Sequence, residues 1–330
     1  MIFPRRLAVA ALLGASLVLL GRASEAAPQS VVFGVHAKCD EIAFSRNGRV
    51  LMTRDGTLFP SPQPQIRFWN VTSRRLIRTV PGGLLERISG DGGRFLVLNR
   101  ERRGAVGFVD CVAPSPNARV ALKWSAPKNE DIFDADWSKD GKEIWLLSSK
   151  KLLRFSASTG ALLCSTTRDP RVHEWLAQDG QRLLAISASP SNSKEARLTQ
   201  LDIISGTSKL LVARLSPEFS LNRVSPDFQF FVVTDFDTRG QIFRRLRDNK
   251  RLWMWENHTS SSAFSPDSRF VVSFDKERNL CLARDARTGA PLWQIKGPRP
   301  LVFAFSPDGK TLAEARHDGQ ILLWPLPPRS

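Results

Sequence analysis

A short phrase recurs along the 330-residue chain at a spacing of about 40 residues, a period typical of radial and stacked repeat folds. Its clearest copy is residues 305–311, which read FSPDGKT. The small residue that opens the turn in each copy stands at positions 45, 89, 138, 177, 225, 265 and 306. Seven copies at near-constant spacing constrain the fold before any single strand is assigned.

Each copy places turn chemistry between apolar runs. In the last copy, Asp308 can cap its own backbone and Gly309 can adopt a positive φ. The flanking runs are strand-like, as at 94–98 (RFLVL) and 270–273 (FVVS). A third run follows a polar loop, as at 320–324 (QILLW), and a fourth follows a short Gly or Ser turn. Each repeat therefore predicts four antiparallel strands.

A single four-stranded sheet with two apolar faces cannot bury both of them alone. We therefore predict an all-β fold, a seven-bladed β-propeller of four-stranded antiparallel sheets. The last repeat ends after its third strand, at Trp324, and a spare strand at 30–33 (SVVF) precedes the first repeat. We predict that this N-terminal strand pairs with the last blade and closes the ring without exposed edges.

The phrase FSPDGK, followed by DGQILLW at 318–324, resembles a WD40 repeat. The resemblance covers residues 31–324 and is degenerate between 87 and 255. The Gly-His dipeptide of that family is mostly missing, so we expect its His-Ser-Asp-Trp hydrogen-bond network to be incomplete in most blades. The resemblance implies a ring whose loops carry the binding residues.

Residues 1–26 have the features of a signal peptide: Arg5 and Arg6, an apolar run from 7 to 20, and a small-x-small site at 24–26. We predict export to the periplasm or outside the cell, with an uncleaved membrane anchor as the alternative. The Ala, Leu and Arg bias of the leader favours a bacterial origin. Residues 27–330 then form a single propeller domain.

The formal net charge is +16, and the basic excess falls on the predicted outer strands. Their stretches contain Arg74, Arg75, Arg78, Arg119, Lys123, Arg168, Lys209, Arg214, Arg247, Lys250, Arg251, Arg287 and Lys296. Only Asp248 and Asp285 oppose them. One interpretation is edge protection against sheet-to-sheet aggregation. The other is contact with a polyanion, either an acidic envelope polymer or an anionic membrane surface.

The candidate binding residues for a polyanion or a protein partner are Arg74, Arg75, Arg78, Arg244, Arg245, Arg247, Lys250 and Arg251. The second group precedes Trp253 and Trp255, and basic with aromatic residues can suit nucleic acid. We expect the two Trp side chains to be packing residues instead, and the leader argues against nucleic acid as a partner.

Motifs of known chemistry are missing from the sequence: it has no Gly-x-Ser-x-Gly elbow, no phosphate-binding Gly loop and no His-Glu-x-x-His. We predict no catalytic, metal or cofactor site. Asp131, Asp134 and Asp136 could coordinate a cation near the ring axis, but a polar loop rim is the preferred interpretation. Cys281 occupies an apolar position of a third strand, so we expect a buried thiol rather than a disulfide.

The favoured function is a non-enzymatic, exported interaction scaffold, monomeric, with an unidentified protein partner. The default contact site in such a ring is the mouth of its central channel. The first alternative is a propeller hydrolase or oxidoreductase with its active site in the channel. The second is a periplasmic propeller resembling the TolB family, which usually has six blades.

Overall fold

The computed structural model describes residues 24–25, 39–55, 65–81, 86–99, 105–110, 119–122, 127, 130–168, 173–176, 181–189, 192–215, 219–235, 240–256, 258–275, 277–296, 300–316 and 319–326. The regular elements within these ranges are β-strands. None of the described segments forms a helix of sufficient length and apolarity to traverse a lipid bilayer.

Seven sheets follow one another along the chain. A two-residue strand, β1 (Ser24–Glu25), precedes them. Blade 1 comprises β2 (Cys39–Phe44), β3 (Val50–Asp55), β4 (Gln65–Asn70) and β5 (Leu76–Pro81). Blade 2 comprises β6 (Glu86–Ile88), β7 (Arg94–Asn99), β8 (Ala105–Asp110) and β9 (Arg119–Ala121). Blade 3 comprises β10 (Ile132–Trp137), β11 (Glu143–Ser148), β12 (Lys151–Ser156) and β13 (Leu162–Thr167).

The remaining blades repeat this order. Blade 4 comprises β14 (His173–Leu176), β15 (Arg182–Ser189), β16 (Asn192–Asp202) and β17 (Ser208–Leu215). Blade 5 comprises β18 (Phe219–Val224), β19 (Phe230–Asp235), β20 (Gln241–Arg245) and β21 (Arg251–Trp255). Blade 6 comprises β22 (His258–Phe264), β23 (Phe270–Asp275), β24 (Leu280–Asp285) and β25 (Pro291–Lys296). Blade 7 comprises β26 (Pro300–Phe305), β27 (Thr311–Arg316) and β28 (Ile321–Pro325).

The seven antiparallel sheets confirm the predicted all-β architecture and its blade count. Within the described ranges, blade 7 contains the three strands that its repeat supplies. The predicted closing strand at 30–33 lies outside the described residues. Ser24 and Glu25, inside the predicted leader, pair in parallel with Trp293 and Gln294 at the outer edge of blade 6.

The second strand of each blade supplies side chains to two neighbours, because successive residues of a strand point to opposite faces. In β7, Phe95 packs into blade 1, where its ring lies 4.6 Å from that of Phe68. The next residue, Leu96, packs into blade 3 with Ile144 and Leu146. On the opposite face of β11, Trp145 and Leu147 pack in the core that blade 3 shares with blade 4.

The same alternation continues round the ring, so each described interface between consecutive blades has its own apolar cluster. A seventh cluster joins the ends of the chain. In it, Leu51 and Trp69 of blade 1 pack with Ala313, Ala315 and Ile321 of blade 7. Blades 1 and 7 are therefore neighbours, and the ring is complete at the level of side-chain packing.

The turn between the first and second strands has the chemistry that the repeat predicts. In the last copy, the Ser306 hydroxyl donates to Asp308 at 2.6 Å and accepts from the backbone N–H of Thr311 at 2.9 Å. The residue that follows Asp308, Gly309, has a φ of 67°. The same serine bonds recur at Ser45, Ser89, Ser138, Ser225 and Ser265. Phe228 and Ser268 occupy the glycine position with φ of 59° and 60°, conformations that are strained for non-glycine residues.

The hydrogen-bond partner of the third-strand tryptophan differs between blades 1 and 7. In blade 1 the Trp69 indole donates to Thr53 at 2.9 Å. At the equivalent place in blade 7, Trp324 donates to the carboxylate of Glu314 at 2.6 Å, and Arg316 donates to the same carboxylate at 2.8 Å. A buried ion pair therefore takes the place of the hydroxyl in the last blade.

Cys281 is a buried thiol in β24, which agrees with the sequence interpretation. Burial raises the pKa of this thiol far above its usual range, and the nearby Glu314 carboxylate adds to the shift. The thiol is therefore protonated and acts as a small apolar side chain.

Substitution of Gly92 tests the close contact between blades 1 and 2. Its φ is 75°, and a methyl group there would lie 2.7 Å from Cγ2 of Val50, whereas Gly141 has a φ of 72° and nothing within 4 Å. Both alanine substitutions carry the backbone penalty of about 1–2 kcal/mol. Gly92→Ala should lose a further ~1–3 kcal/mol from overpacking. Urea unfolding measures both, and equal losses would contradict the contact.

Candidate functional site

The first strands of neighbouring blades meet around the ring axis, and three of them carry a set of ion pairs. Arg87 of β6 lies 3.7 Å from the Glu41 carboxylate of β2 and 3.4 Å from that of Asp134 in β10. Arg54 lies 3.4 Å from the other oxygen of Glu41. These side chains are partly exposed. Blades 1, 2 and 3 thus share a charged cluster on their channel-facing strands.

Asp136 lies two residues further along β10 and is buried. Its carboxylate accepts the backbone N–H of Trp137 at 2.7 Å. Desolvation raises the pKa of Asp136 from 3.8 to about 6, against the opposing attraction of Arg87 and Arg46. Burial of the carboxylate outweighs both guanidinium groups, so this group exchanges its proton close to neutral pH.

Arg46 connects blades that are not neighbours. Its guanidinium donates to the carbonyls of Ser138 at 2.9 Å and Trp137 at 3.2 Å, both in blade 3. On the way its side chain passes over Gly90 of blade 2, where an added methyl group would be 3.4 Å from the arginine Cδ. A residue of blade 1 can cross blade 2 in this way only near the axis.

An exposed aromatic ring stands at the opposite end of β10. Phe133 is 54% exposed, and it follows directly on the loop that enters the blade. The guanidinium of Arg168 lies 5.5 Å from its ring centre. Arg168 is itself buried and donates to the Ser148 carbonyl. A buried cation therefore lies against an exposed aromatic side chain at the end of the blade opposite the first-to-second-strand turn.

The three aspartates of the sequence hypothesis have separate environments. Asp134 pairs with Arg87, Asp136 is buried, and Asp131 is exposed. No group of three or more potential metal ligands occurs among the residues that the structure describes. Of the three carboxylates, Asp134 belongs to the charged cluster of blades 1 to 3.

The predicted binding residues fall into two groups on different blades. Arg74, Arg75 and Arg78 belong to blade 1, where the first two are exposed and Arg78 is half-buried. Arg244, Arg245, Arg247, Lys250 and Arg251 belong to blade 5. Since blades 6 and 7 lie between blades 5 and 1, the structure does not bring the two groups together.

Two arginines of the blade 5 group are engaged within their own hairpin. Arg244 is half-buried and donates to the Asn249 carbonyl at 2.9 Å. Arg245 donates to both carboxylate oxygens of Asp248, and this bond lowers the pKa of Asp248 to about 2. Arg247, Lys250 and Arg251 are exposed.

The assignment of Arg168 to a basic outer surface is wrong. The residue directly follows β13, but its side chain turns inward to the Ser148 carbonyl and is buried. The two tryptophans of blade 5 are packing residues, as expected. Trp255 is buried, and Trp253 stacks on Phe243 with ring centres 3.7 Å apart while donating to the Ala286 carbonyl.

A set of exposed aliphatic side chains on the outer strands was not predicted from the sequence. They are Leu76, Ile77, Leu162, Leu163, Leu210 and Leu292, between 38% and 55% exposed, together with Ile204 at 66% in an adjoining turn. A signal existed in the sequence. Two aliphatic residues in succession, as in Leu162-Leu163, cannot both point into one face of a strand.

Comparisons with known proteins agree on the fold. No protein-family model matches the chain, and no curated protein matches it. Among solved structures, the Myceliophteria thermophila Cps50 (Swd1) beta-propeller domain matches with a TM-score of 0.60 and 13% identity, covering 92% of this chain and 100% of that one. Kuenenia stuttgartiensis hydrazine synthase matches with a TM-score of 0.55 and 14% identity, and the match covers 90% of this chain and 97% of that one. At these identities the likeness shows a β-propeller and nothing of its activity.

The raised pKa of Asp136 predicts that the stability of the protein depends on pH between about 4 and 6. Its folded pKa of about 6 exceeds the value of 3.8 in an unfolded chain. The stability it contributes is therefore fully present below about pH 4 and is lost as the pH rises through 6. The unfolding free energy of Asp136→Asn minus that of wild type should rise by about 3 kcal/mol from pH 3 to pH 8.

The matched control is Asp140→Asn. Hydrogen bonds from the Lys142 N–H and the Ser138 hydroxyl lower the pKa of Asp140. The unfolding free energy of Asp140→Asn minus that of wild type should therefore fall as the pH rises, the opposite of the change at Asp136. Asn47 already occupies this turn position in blade 1. Urea unfolding at several pH values measures both differences. Parallel profiles for Asp136→Asn and wild type would show that the carboxylate is not desolvated.

Proposed function

We propose that the chain is an exported, non-enzymatic propeller that acts as a protein-interaction scaffold and binds its partner at the channel mouth of blades 1 to 3. The observation that carries this proposal is Phe133, which is 54% exposed and held against buried Arg168. An exposed aromatic side chain whose orientation is already fixed loses little conformational entropy on binding.

The surroundings of Phe133 also suit a protein partner. Arg87, Glu41 and Asp134 form ion pairs on the adjoining strands and remain partly exposed. Interfaces place aromatic and arginine anchors at the centre and charged groups at the border. Such a border favours one orientation of the partner, because a like charge placed against it is repelled.

Rigidity of the ring supports the same role. Apolar clusters link blade 1 to blades 2 and 7, and Arg46 additionally links it to blade 3. The channel-facing strands therefore keep their relative positions when a partner binds, and the binding free energy is not spent on ordering them.

A propeller enzyme with its active site in the channel is the second candidate. The observation in its favour is Asp136, whose raised pKa of about 6 is the property that a general acid requires. Hydrazine synthase, one of the structural neighbours, is named as an enzyme. Asp136→Asn separates the candidates: it should abolish an enzymatic activity, but it leaves the Phe133 surface and partner capture intact.

The scaffold proposal predicts a loss of partner capture on substitution of Phe133. The exported chain, immobilised on beads, should retain a protein from envelope extract. Phe133→Ser should weaken that complex about 30-fold, the effect of removing an interface anchor worth ~2 kcal/mol. Binding of the purified partner is measured by titration calorimetry.

Leu163→Ser is the matched control, because Leu163 is 55% exposed but lies on the outer strand of blade 3. It should leave partner binding unchanged. Equal affinity of wild type and Phe133→Ser, or capture of no protein at all, would overturn the proposed site.

A further inference from the structure

The exposed aliphatic side chains share one position in the blade. We define the turn rim as the turns between third and fourth strands with the first three residues of each outer strand, at 71–78, 157–164, 203–210, 246–253 and 286–293. Of the eight large hydrophobic side chains that are exposed in the described part of the chain, seven lie on the turn rim. The eighth is Phe133.

The turn rim occupies one face of the ring. In an antiparallel four-stranded blade, the turn from the third to the fourth strand lies at the same end as the turn from the first to the second. Blades 1, 3, 4 and 6 supply the seven aliphatic side chains. These blades are distributed round the ring, so a single narrow groove or peptide cannot contact them all at once.

Exposed cations share the turn rim with the aliphatic residues in blades 1, 4 and 6, whereas blade 3 contributes aliphatic residues alone and blade 5 cations alone. They are Arg74, Arg75, Lys209, Arg247, Lys250, Arg251 and Arg287. Three acidic residues lie within it or next to it. Asp248 is paired with Arg245, and Asp202 and Asp285 accept the backbone N–H groups of their own turns. The turn rim therefore presents a positive border with apolar side chains between the charges.

Two structural alternatives fit this pattern less well. Edge protection explains the cations but not exposed pairs such as Leu76-Ile77 or Leu162-Leu163, which make an edge more prone to association. A soluble acidic polymer would also meet the cations, but it offers no apolar phase for the aliphatic side chains.

We propose that the ring lies flat on an anionic lipid surface, with the turn rim at the headgroup level. Leu76, Leu163 and Ile204 would enter the boundary between headgroups and acyl chains, as apolar side chains of interfacial proteins do. Arg74, Lys209 and Arg247 would contact the lipid phosphates. Phe133, at the other end of its blade, would then face away from the lipid and remain open to a protein.

Vesicle co-sedimentation tests the proposal on the chain recovered after export. Wild type should bind vesicles containing phosphatidylglycerol at least tenfold more strongly than vesicles of phosphatidylcholine alone. The triple variant Leu163→Ser, Ile204→Ser, Leu210→Ser should lose about tenfold of the affinity for anionic vesicles. Arg74→Gln with Lys209→Gln should lose a similar amount and show a weaker salt dependence.

Phe133→Ser is the control, since it removes the one exposed hydrophobic side chain of the described residues that lies off the turn rim. It should bind vesicles like wild type. All these positions are exposed, and urea unfolding of each variant checks that the fold is kept. Failure to bind anionic vesicles would overturn the proposal. So would loss of binding in the charge variant while the aliphatic variant binds normally, because that result describes a polyanion site only.

A fluorescent label provides a second readout, since binding through the cations alone would not move the label into an apolar environment. Cys164 is exposed and adjoins Leu163, whereas Cys39 and Cys281 are buried. An environment-sensitive dye attached to Cys164, in a Cys111→Ser background, should shift to shorter wavelength on binding anionic vesicles. An unchanged spectrum in the vesicle-bound protein would place the turn rim in water and reject insertion.

Discussion

Blade 1 packs directly on blade 7. Because of this contact the two terminal blades, like the five others, each have two neighbours. Without it, Leu51 and Trp69 would face solvent at one end of the array, and Ala313 and Ile321 at the other. The small side chains of Ala313 and Ala315 leave room for the Trp69 indole between the blades. Since each second strand divides its side chains between two neighbours, opening this contact would expose one face of both terminal blades.

The ring geometry also explains why charged groups can be buried near the axis. First strands of three consecutive blades come close enough for Arg87 to reach carboxylates on both sides. Arg46 crosses a whole blade and satisfies two carbonyls of the next one. Asp136 is buried in the same region, and the desolvation of its carboxylate raises its pKa even though Arg87 and Arg46 act in the opposite direction.

Local chemistry made the strands and turns predictable, because they depend on residues close in sequence. The bond from Ser306 to Asp308 spans two residues, and the equivalent serine bond recurs in five other blades. The candidate site could not be read in that way. Arg46 and Ser138 are 92 residues apart, so no local pattern relates them. Arg168 was assigned to the outside because it belongs to the outer-strand stretch of its repeat, but its buried contact with Ser148 depends on the fold of the whole blade.

The distribution of residues on the ring gives its two faces different chemistry. Phe133 lies at the end of β10 that leads away from the Ser138 turn, among ion pairs that are fixed by three blades. The turn rim lies at the other end and presents exposed aliphatic residues and cations from five of the seven blades. The surface around Phe133 suits a compact partner, because its anchor is a single side chain. The turn rim suits an extended flat surface. The two surfaces share no residue, so the proposed protein partner and the proposed lipid surface would not compete for the same side chains.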